Sequence, residues 1–316
     1  MNFELILKWL KVSNLNITHI PHYDIHMAFY IFKNIFVHSW GGLGSQLFAY
    51  STAEYLSQRY PNKQISIVLH SSGVTKRAPA IDSLGEKYRI IIKDDFDDKS
   101  KSNTKVSKFK LILKQILKIL LEKSDLVVEG NSTQEQRKIK PWTLVLRGHY
   151  SYAEISKNTL KAMAIKIENS IETGFRDNLI RASYIGLHYR LGDLVKLDNK
   201  SYTEPDLIST FVLQVAADSH ITDIQIYSDD LALARILLCN KLTNSALFNE
   251  ADIWVAMINL IHSDYFIGTN SKISIWIILF RLINNSNSWN AIPLSMKENL
   301  EKIWPQILVS KNIFYY

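Results

Sequence analysis

The chain of 316 residues contains a single cysteine, Cys239. An internal disulfide is therefore impossible, and nothing ties the sequence to an oxidising compartment. Cys239 closes the apolar run of residues 231–238 and reads as a small buried apolar side chain on that helix. Long apolar runs are missing as well. Stretches such as Ile275-Trp276-Ile277-Ile278-Leu279-Phe280 fall far short of the ~20 residues that cross a bilayer. Met1 to Lys11 mixes charged and apolar residues, with no long central apolar block and no small-residue cleavage site, so no secretory signal is expected. Zinc-ligand spacing, a basic recognition helix and an RNA-binding aromatic signature are lacking too, which argues against a nucleic-acid-binding protein. No internal repeat is visible. These absences place the protein in the cytoplasm.

What is present describes a globular protein with an ample core: 47% of residues are hydrophobic and 21% charged. The length fits one large or two medium domains. Lys and Arg number 37 against 30 Asp and Glu, for a net charge of +7 and an isoelectric point near 9.2. That balance suits an anionic partner, whether nucleotide, phospholipid surface or nucleic acid.

Residues 1–30 are irregular and rich in His, Asn and Tyr, and we read them as an N-terminal extension with Met27 as the functional start. A strand pattern begins at Ile31 and runs to Val37, followed by Trp40-Gly41-Gly42-Leu43-Gly44-Ser45-Gln46-Leu47-Phe48 and a helical run over 49–59. Strand, glycine loop and helix open a nucleotide-fold unit. Further strands are expected at 65–69, 126–128 and 144–146, and a helix at 153–175. The second half repeats the alternation, with strands at 184–189, 223–228 and 265–268 and helices at 205–218, 231–238, 250–262 and 271–283. Such alternation implies parallel sheets with helices on both faces. The predicted architecture is two Rossmann-type α/β domains facing a cleft, residues 31–180 on the acceptor side and residues 181–316 on the nucleotide side.

His188-Tyr189-Arg190-Leu191-Gly192-Asp193 follows the apolar run Tyr184-Ile185-Gly186-Leu187. It therefore sits beyond the carboxyl end of a buried strand, where open α/β sheets bind ligands. Arg190 there offers a planar fork of donors suited to a diphosphate. His188 alternates with Arg190 and points the same way, to contact a ligand or to pack beneath it. Asp193 is placed to orient Arg190 or to act as a base. Ser228-Asp229-Asp230 ends another strand; its carboxylates can accept from a base or ribose, or simply cap a helix. Asn270-Ser271 stands where a strand hands over to a helix, a position for anion contact or for an N-cap.

Taken together, Gly41 to Phe48, then His188, Arg190, Gly192 and Asp193, then Ser228-Asp229-Asp230, then Asn270, Ser271, Ser274 and Trp276 resemble the blocks of the α-1,2-fucosyltransferase family in that family's order. The resemblance implies a GT-B-like fold and a GDP-sugar co-substrate, L-fucose or a related 6-deoxyhexose such as colitose, with no metal or other cofactor. It implies inverting transfer to an acceptor glycan hydroxyl, typically the 2-hydroxyl of galactose, as in bacterial O-antigen assembly on a lipid-linked oligosaccharide. Arg190, His188 and Asp193 become the catalytic candidates. Arg190, Ser228, Asp229, Asp230, Asn270, Ser271 and Ser274 become the donor-binding set, and Gly41, Gly42, Gly44, Ser45 and Gln46 the glycine loop. The chain departs from the family at Ser45, where members carry asparagine, and at Ile275-Trp276-Ile277, where Trp-Trp-Gly is usual. An inactive relative that only binds a sugar is the alternative those departures keep open.

Two other stretches carry rival readings. Asp94-Asp95-Phe96-Asp97-Asp98 contains an Asp-x-Asp element of the kind that holds a divalent ion, but its Lys- and Ser-rich surroundings read as a solvated loop. Residues 105–123 form a basic amphipathic pattern, with Lys110, Lys114 and Lys118 beside Phe109, Ile112, Leu113, Ile116, Leu117 and Leu120. That pattern fits a surface helix or peripheral contact with the anionic inner face of a membrane. The N-terminal reading gives a first prediction: a chain starting at Met27 keeps the melting temperature and ligand response of the full chain, and a collapse of either would contradict it.

Overall fold

The computed structural model describes residues 33–70, 80–84, 87–93, 125–130, 132–148, 150–151, 153–170, 183–197, 202–238, 240–249, 253–306 and 312–316. The N-terminal extension, the acidic stretch at 94–98, the basic segment 105–123, Cys239 and the expected domain joint near 180 lie outside these residues.

Two parallel sheets organise the chain, as the strand–helix alternation predicts. The first contains β1 (Asn34–Trp40), β2 (Gln64–His70), β3 (Arg89–Lys93), β4 (Val127–Glu129) and β5 (Val145–Arg147) in the order β3-β2-β1-β5-β4. Between them come α1 (Leu43–Arg59), the 3-10 turn Ile81–Leu84 and α2 (Thr133–Arg137); α3 (Lys157–Ser170) follows β5. The second half begins with β6 (Ile185–His188), α4 (Gly192–Leu197), α5 (Pro205–Ser219), β7 (Ile224–Ser228), α6 (Leu231–Leu238) and β8 (Ser245–Asn249). It continues through α7 (Ile253–His262), β9 (Tyr265–Gly268), α8 (Lys272–Asn284), β10 (Trp289–Ile292), α9 (Lys297–Ile303) and β11 (Ile313–Tyr315). Its strand order is β11-β10-β9-β6-β7-β8. Counted from β6, that is the 3-2-1-4-5-6 order of dinucleotide-binding sheets, with its switch point between β6 and β9.

Every residue of β6 is buried, because helices cover both faces of a central parallel strand. The register pairs His188 with Gly268, so the chain leaves β6 and β9 at the same level. Helix α8 is apolar all round, and Ile273 to Leu282 are buried without a break, the mark of a helix enclosed on every side. It packs against α1 and α3 of the first half and against α7 of its own. One apolar cluster consequently runs through both halves, from Ile35 and Phe48 to Trp276 and Ile303. Polar ties accompany it: Trp254 Nε1 donates to Ala80 O at 2.8 Å and the Ile155 amide to Ile303 O at 2.8 Å. A second cluster joins β6, β7 and β9 to α5 and α6.

Boundaries differ from expectation in ways the packing explains. Helix α1 starts at Leu43, not at 49, so Gly44, Ser45 and Gln46 belong to its first turn; only Gly41 and Gly42 precede the helix. Tertiary contact on all sides of that turn outweighs the low helix propensity of glycine and serine. The strands β3, β8, β10 and β11 were not expected from the sequence; three of them, β3, β8 and β11, lie at sheet edges, where a continuous apolar run is not required. Helix α3 is described over Lys157–Ser170, within the expected 153–175.

Arg281 on α8 is the main polar fastener of the second half. Only 2% exposed, it donates to the carbonyls of Leu260, Ile261, Ser263, Asp264 and Trp289 and to Asn290 Oδ1. These acceptors end α7 and begin β9 and β10. Burial lowers its pKa to about 10, so it stays charged at neutral pH. Arg281→Met would strand several buried carbonyls, each costing on the order of 1–3 kcal/mol. A urea unfolding curve should show a loss of about 4 kcal/mol or more, or no folded protein at all.

Candidate active site

The site is built where β6 and β9 end. Beyond His188 the two chains stay joined: the Arg190 amide donates to Thr269 Oγ1 at 3.0 Å, and that hydroxyl donates to His188 O at 2.8 Å. Arg190 and Asn270 thus leave the sheet side by side at the switch point. Asp229, just past β7, fixes the turn on the other flank. Its Oδ1 accepts from the Leu191 amide at 2.9 Å and the Gly192 amide at 3.1 Å. Its Oδ2 pairs with Arg190 Nη1 at 2.9 Å. A Cβ on Gly192 would stand 2.3 Å from Asp229 Oδ2, so only glycine lets the turn close onto this carboxylate.

The guanidinium is 17% exposed and the carboxylate 5%. Asp229 is therefore a positioning group that uses both its oxygens internally; the expectation that it accepts from donor atoms is revised to that extent. It is also a carboxylate that holds Arg190, a contact the sequence reading did not anticipate. Asp193 lies in the first turn of α4. Asp230 caps α6, its Oδ1 accepting from the Leu233 amide at 3.0 Å. Ser228 is fully buried, and its Oγ accepts from the Asp230 amide at 3.2 Å.

His188 is likewise fully buried, with Nδ1 2.8 Å from Ser274 Oγ, which is itself buried. Of the two parts open to His188, ligand contact or packing beneath the ligand, its burial fits the second; Ser228 and Ser274, expected among the donor-binding residues, are likewise covered beneath the strand ends. Ser271 is the N-cap of α8, its side chain accepting from the Ile273 amide at 3.2 Å. Asn270, half-buried, stands immediately before it.

The glycine segment meets this site across the halves. Gly41 has φ +95°, a conformation that favours glycine, and it turns the chain from β1 into α1. Gln46 locks the turn: its Nε2 donates to Gly41 O at 3.2 Å and its Oε1 accepts from the Ala80 amide at 2.9 Å. Gly44 then lies against α8. A Cβ there would approach Lys272 Cβ to 2.7 Å, and Gly44 O accepts from Trp276 Nε1 at 3.0 Å. Ser45 Oγ accepts from Lys272 Nζ at 3.0 Å. The first turns of α1 and α8 are thus in contact, which brings the exits of β1, β6 and β9 to one place.

Thr269 and Lys272 were not anticipated from the sequence. A buried threonine in a Gly-Thr-Asn-Ser exit and a lysine opening an apolar helix were the available signals. Nor were the residues at the exits of β1 and β2, where His38 Nδ1 lies 2.8 Å from His70 Nε2 and Trp40 stacks on His70 with centroids 4.3 Å apart.

No protein-family model matches the chain, and comparison with curated proteins finds no match. Among solved structures, E. coli heptosyltransferase WaaC with ADP is similar at a TM-score of 0.46 and 10% identity, covering 89% of this chain and 92% of that one. POFUT1 in complex with GDP gives 0.42 and 12%, covering 82% and 97%. NodZ alpha-1,6-fucosyltransferase soaked with GDP-fucose gives 0.42 and 14%, covering 78% and 93%. At these identities and TM-scores the functional reading stands on this chain's own residues. Those residues define an α/β protein with a Rossmann-ordered sheet and a buffered arginine at its switch point.

The Asp229 contacts predict a graded loss. Asp229→Asn keeps an oxygen for the two amides but turns donors toward Arg190, costing about 2 kcal/mol. Asp229→Ala also strands the amides and should cost more. Urea midpoints of the two variants measure the order; Asn as damaging as Ala would assign the whole effect to the ion pair.

Proposed function

We propose that the protein is an inverting glycosyltransferase moving a 6-deoxyhexose from a GDP-sugar to a hydroxyl of an acceptor glycan. The observation that carries the reading is Arg190, clamped by Asp229 at the switch point of the second sheet. There it stands beside the Asn270-Ser271 entry to α8. In the reaction the acceptor oxygen forms a bond to the sugar's anomeric carbon as the bond from that carbon to the diphosphate oxygen breaks. The electron pair of that bond leaves with GDP. Arg190 and the amides at the head of α8 would stabilise the growing negative charge, the largest single need of such a step. The hydroxyl proton must go to a base. We assign Asp193, the acid of the same motif, that task.

The four sequence blocks that resemble α-1,2-fucosyltransferases support L-fucose or a close relative such as colitose as the sugar. They also support transfer without a metal, to galactose in a lipid-linked surface polysaccharide. Ser45, engaged with Lys272, is where the site differs from those enzymes, and we place the choice between fucose and colitose there. Cytoplasmic placement, with residues 105–123 on an anionic membrane surface, belongs to the same proposal.

A thermal-shift panel of GDP, GDP-fucose, GDP-colitose and unrelated nucleotide sugars tests it. Ligand at 100 times Kd stabilises by about 2.7 kcal/mol, a shift of several degrees. Arg190→Ala should weaken GDP at least tenfold; an unchanged shift would contradict the clamp. Product formed in excess EDTA supports metal-free transfer, and binding without product from any GDP-sugar identifies a binding-only relative.

A further inference from the structure

Lys272 is the first residue of α8, directly after its N-cap Ser271. The partial positive charge of a helix start opposes a cation there. Its amine also reaches the first turn of α1, where Ser45 Oγ accepts it at 3.0 Å. A second helix start is thus turned toward the same nitrogen. Among the described residues that hydroxyl is its only polar partner, and no carboxylate pairs with it. Burial alone lowers the Lys272 pKa to about 8. Leaving a cation here costs stability that a methionine or glutamine would not lose. Rules of local stability are broken in this way at functional sites.

The position answers why. Asn270 leaves β9 level with Arg190 leaving β6, joined through Thr269, and Lys272 is two residues further on. Two cations on adjacent strand exits, one held by Asp229 and one with no acid beside it among the described residues, match an anion carrying two phosphates better than one. We propose that Lys272 is a second diphosphate-binding cation, held ready by Ser45, so that the anion is gripped by the second half at the point where α1 touches it. This rests on the nucleotide-sugar reading and deepens it. In the free protein the hydroxyl of Ser45 stands in for a phosphate oxygen. When the anion arrives the amine gains a negative partner, and the glycine turn at 41–42 is drawn into the bound state through the same contact.

Inorganic pyrophosphate and GDP are the probes, titrated by calorimetry against the full chain and against Lys272→Met, Lys272→Gln and Arg190→Ala. Both Lys272 variants are expected to melt no lower than the parent, since a buried charge has been removed. Both should bind pyrophosphate and GDP at least tenfold more weakly. Binding within threefold of the parent in the folded variants, or a parent that binds neither probe, overturns the inference. Its failure is distinguishable from that of the reading beneath it. GDP binding lost in Arg190→Ala but kept in Lys272→Met removes Lys272 alone. Pyrophosphate binding that needs Lys272, with no preference for guanine nucleotides over others, removes the GDP-sugar assignment alone.

Discussion

The contact between the first turns of α1 and α8 is the constraint on which the rest of the molecule depends. Gly44 has no room for a Cβ against Lys272, and Trp276 reaches over to donate to its carbonyl. Phe48 packs on the Trp276 ring with centroids 4.7 Å apart. Because the helices approach this closely, α8 can be buried on every side, and the two halves share one apolar cluster. Because both helices begin at the crossing, the strand exits of both sheets converge. Stability and site geometry are therefore set by the same few atoms.

Around that crossing the polar groups divide by task. Arg281, Asp229, Thr269 and Gln46 satisfy backbone groups at strand ends and turns, and all four are spent on the protein itself. They make rigid the segments that carry Arg190, Asn270 and Lys272. A buried acid with two amides and an arginine on its oxygens is a fixed scaffold, since losing any partner would leave a buried charge or donor unsatisfied. The proposed transfer uses this rigidity: charge that develops on a leaving diphosphate is best met by donors already in place.

Much of the fold was legible. The alternation of apolar runs with helical patterns named both parallel sheets and most of their strands, because central strands covered on both faces must be apolar throughout. The edge strands β3, β8 and β11 were not legible, and neither was the start of α1, where packing overrides propensity. The site was legible as residue types and less so as roles. Arg190 stood out because it lies beyond the carboxyl end of a buried strand, where open α/β sheets bind ligands. Yet a partner of that arginine lies 39 residues along the chain at Asp229, and no local pattern points to it. The sequence left His188 open between touching a ligand and packing beneath it, and its burial against Ser274 fits the second.

The sequence by itself determined the two α/β halves, the placing of an arginine at the β6 exit and the motif order that resembles α-1,2-fucosyltransferases. These follow from periodicity and local chemistry, which act over a few residues. Only the tertiary structure decided that Asp229 holds Arg190, which motif residues are covered, and that Ser45 and Lys272 meet. The physical reason is that each of these depends on distance between segments up to 227 residues apart, and such distances exist only once α8 has packed against α1.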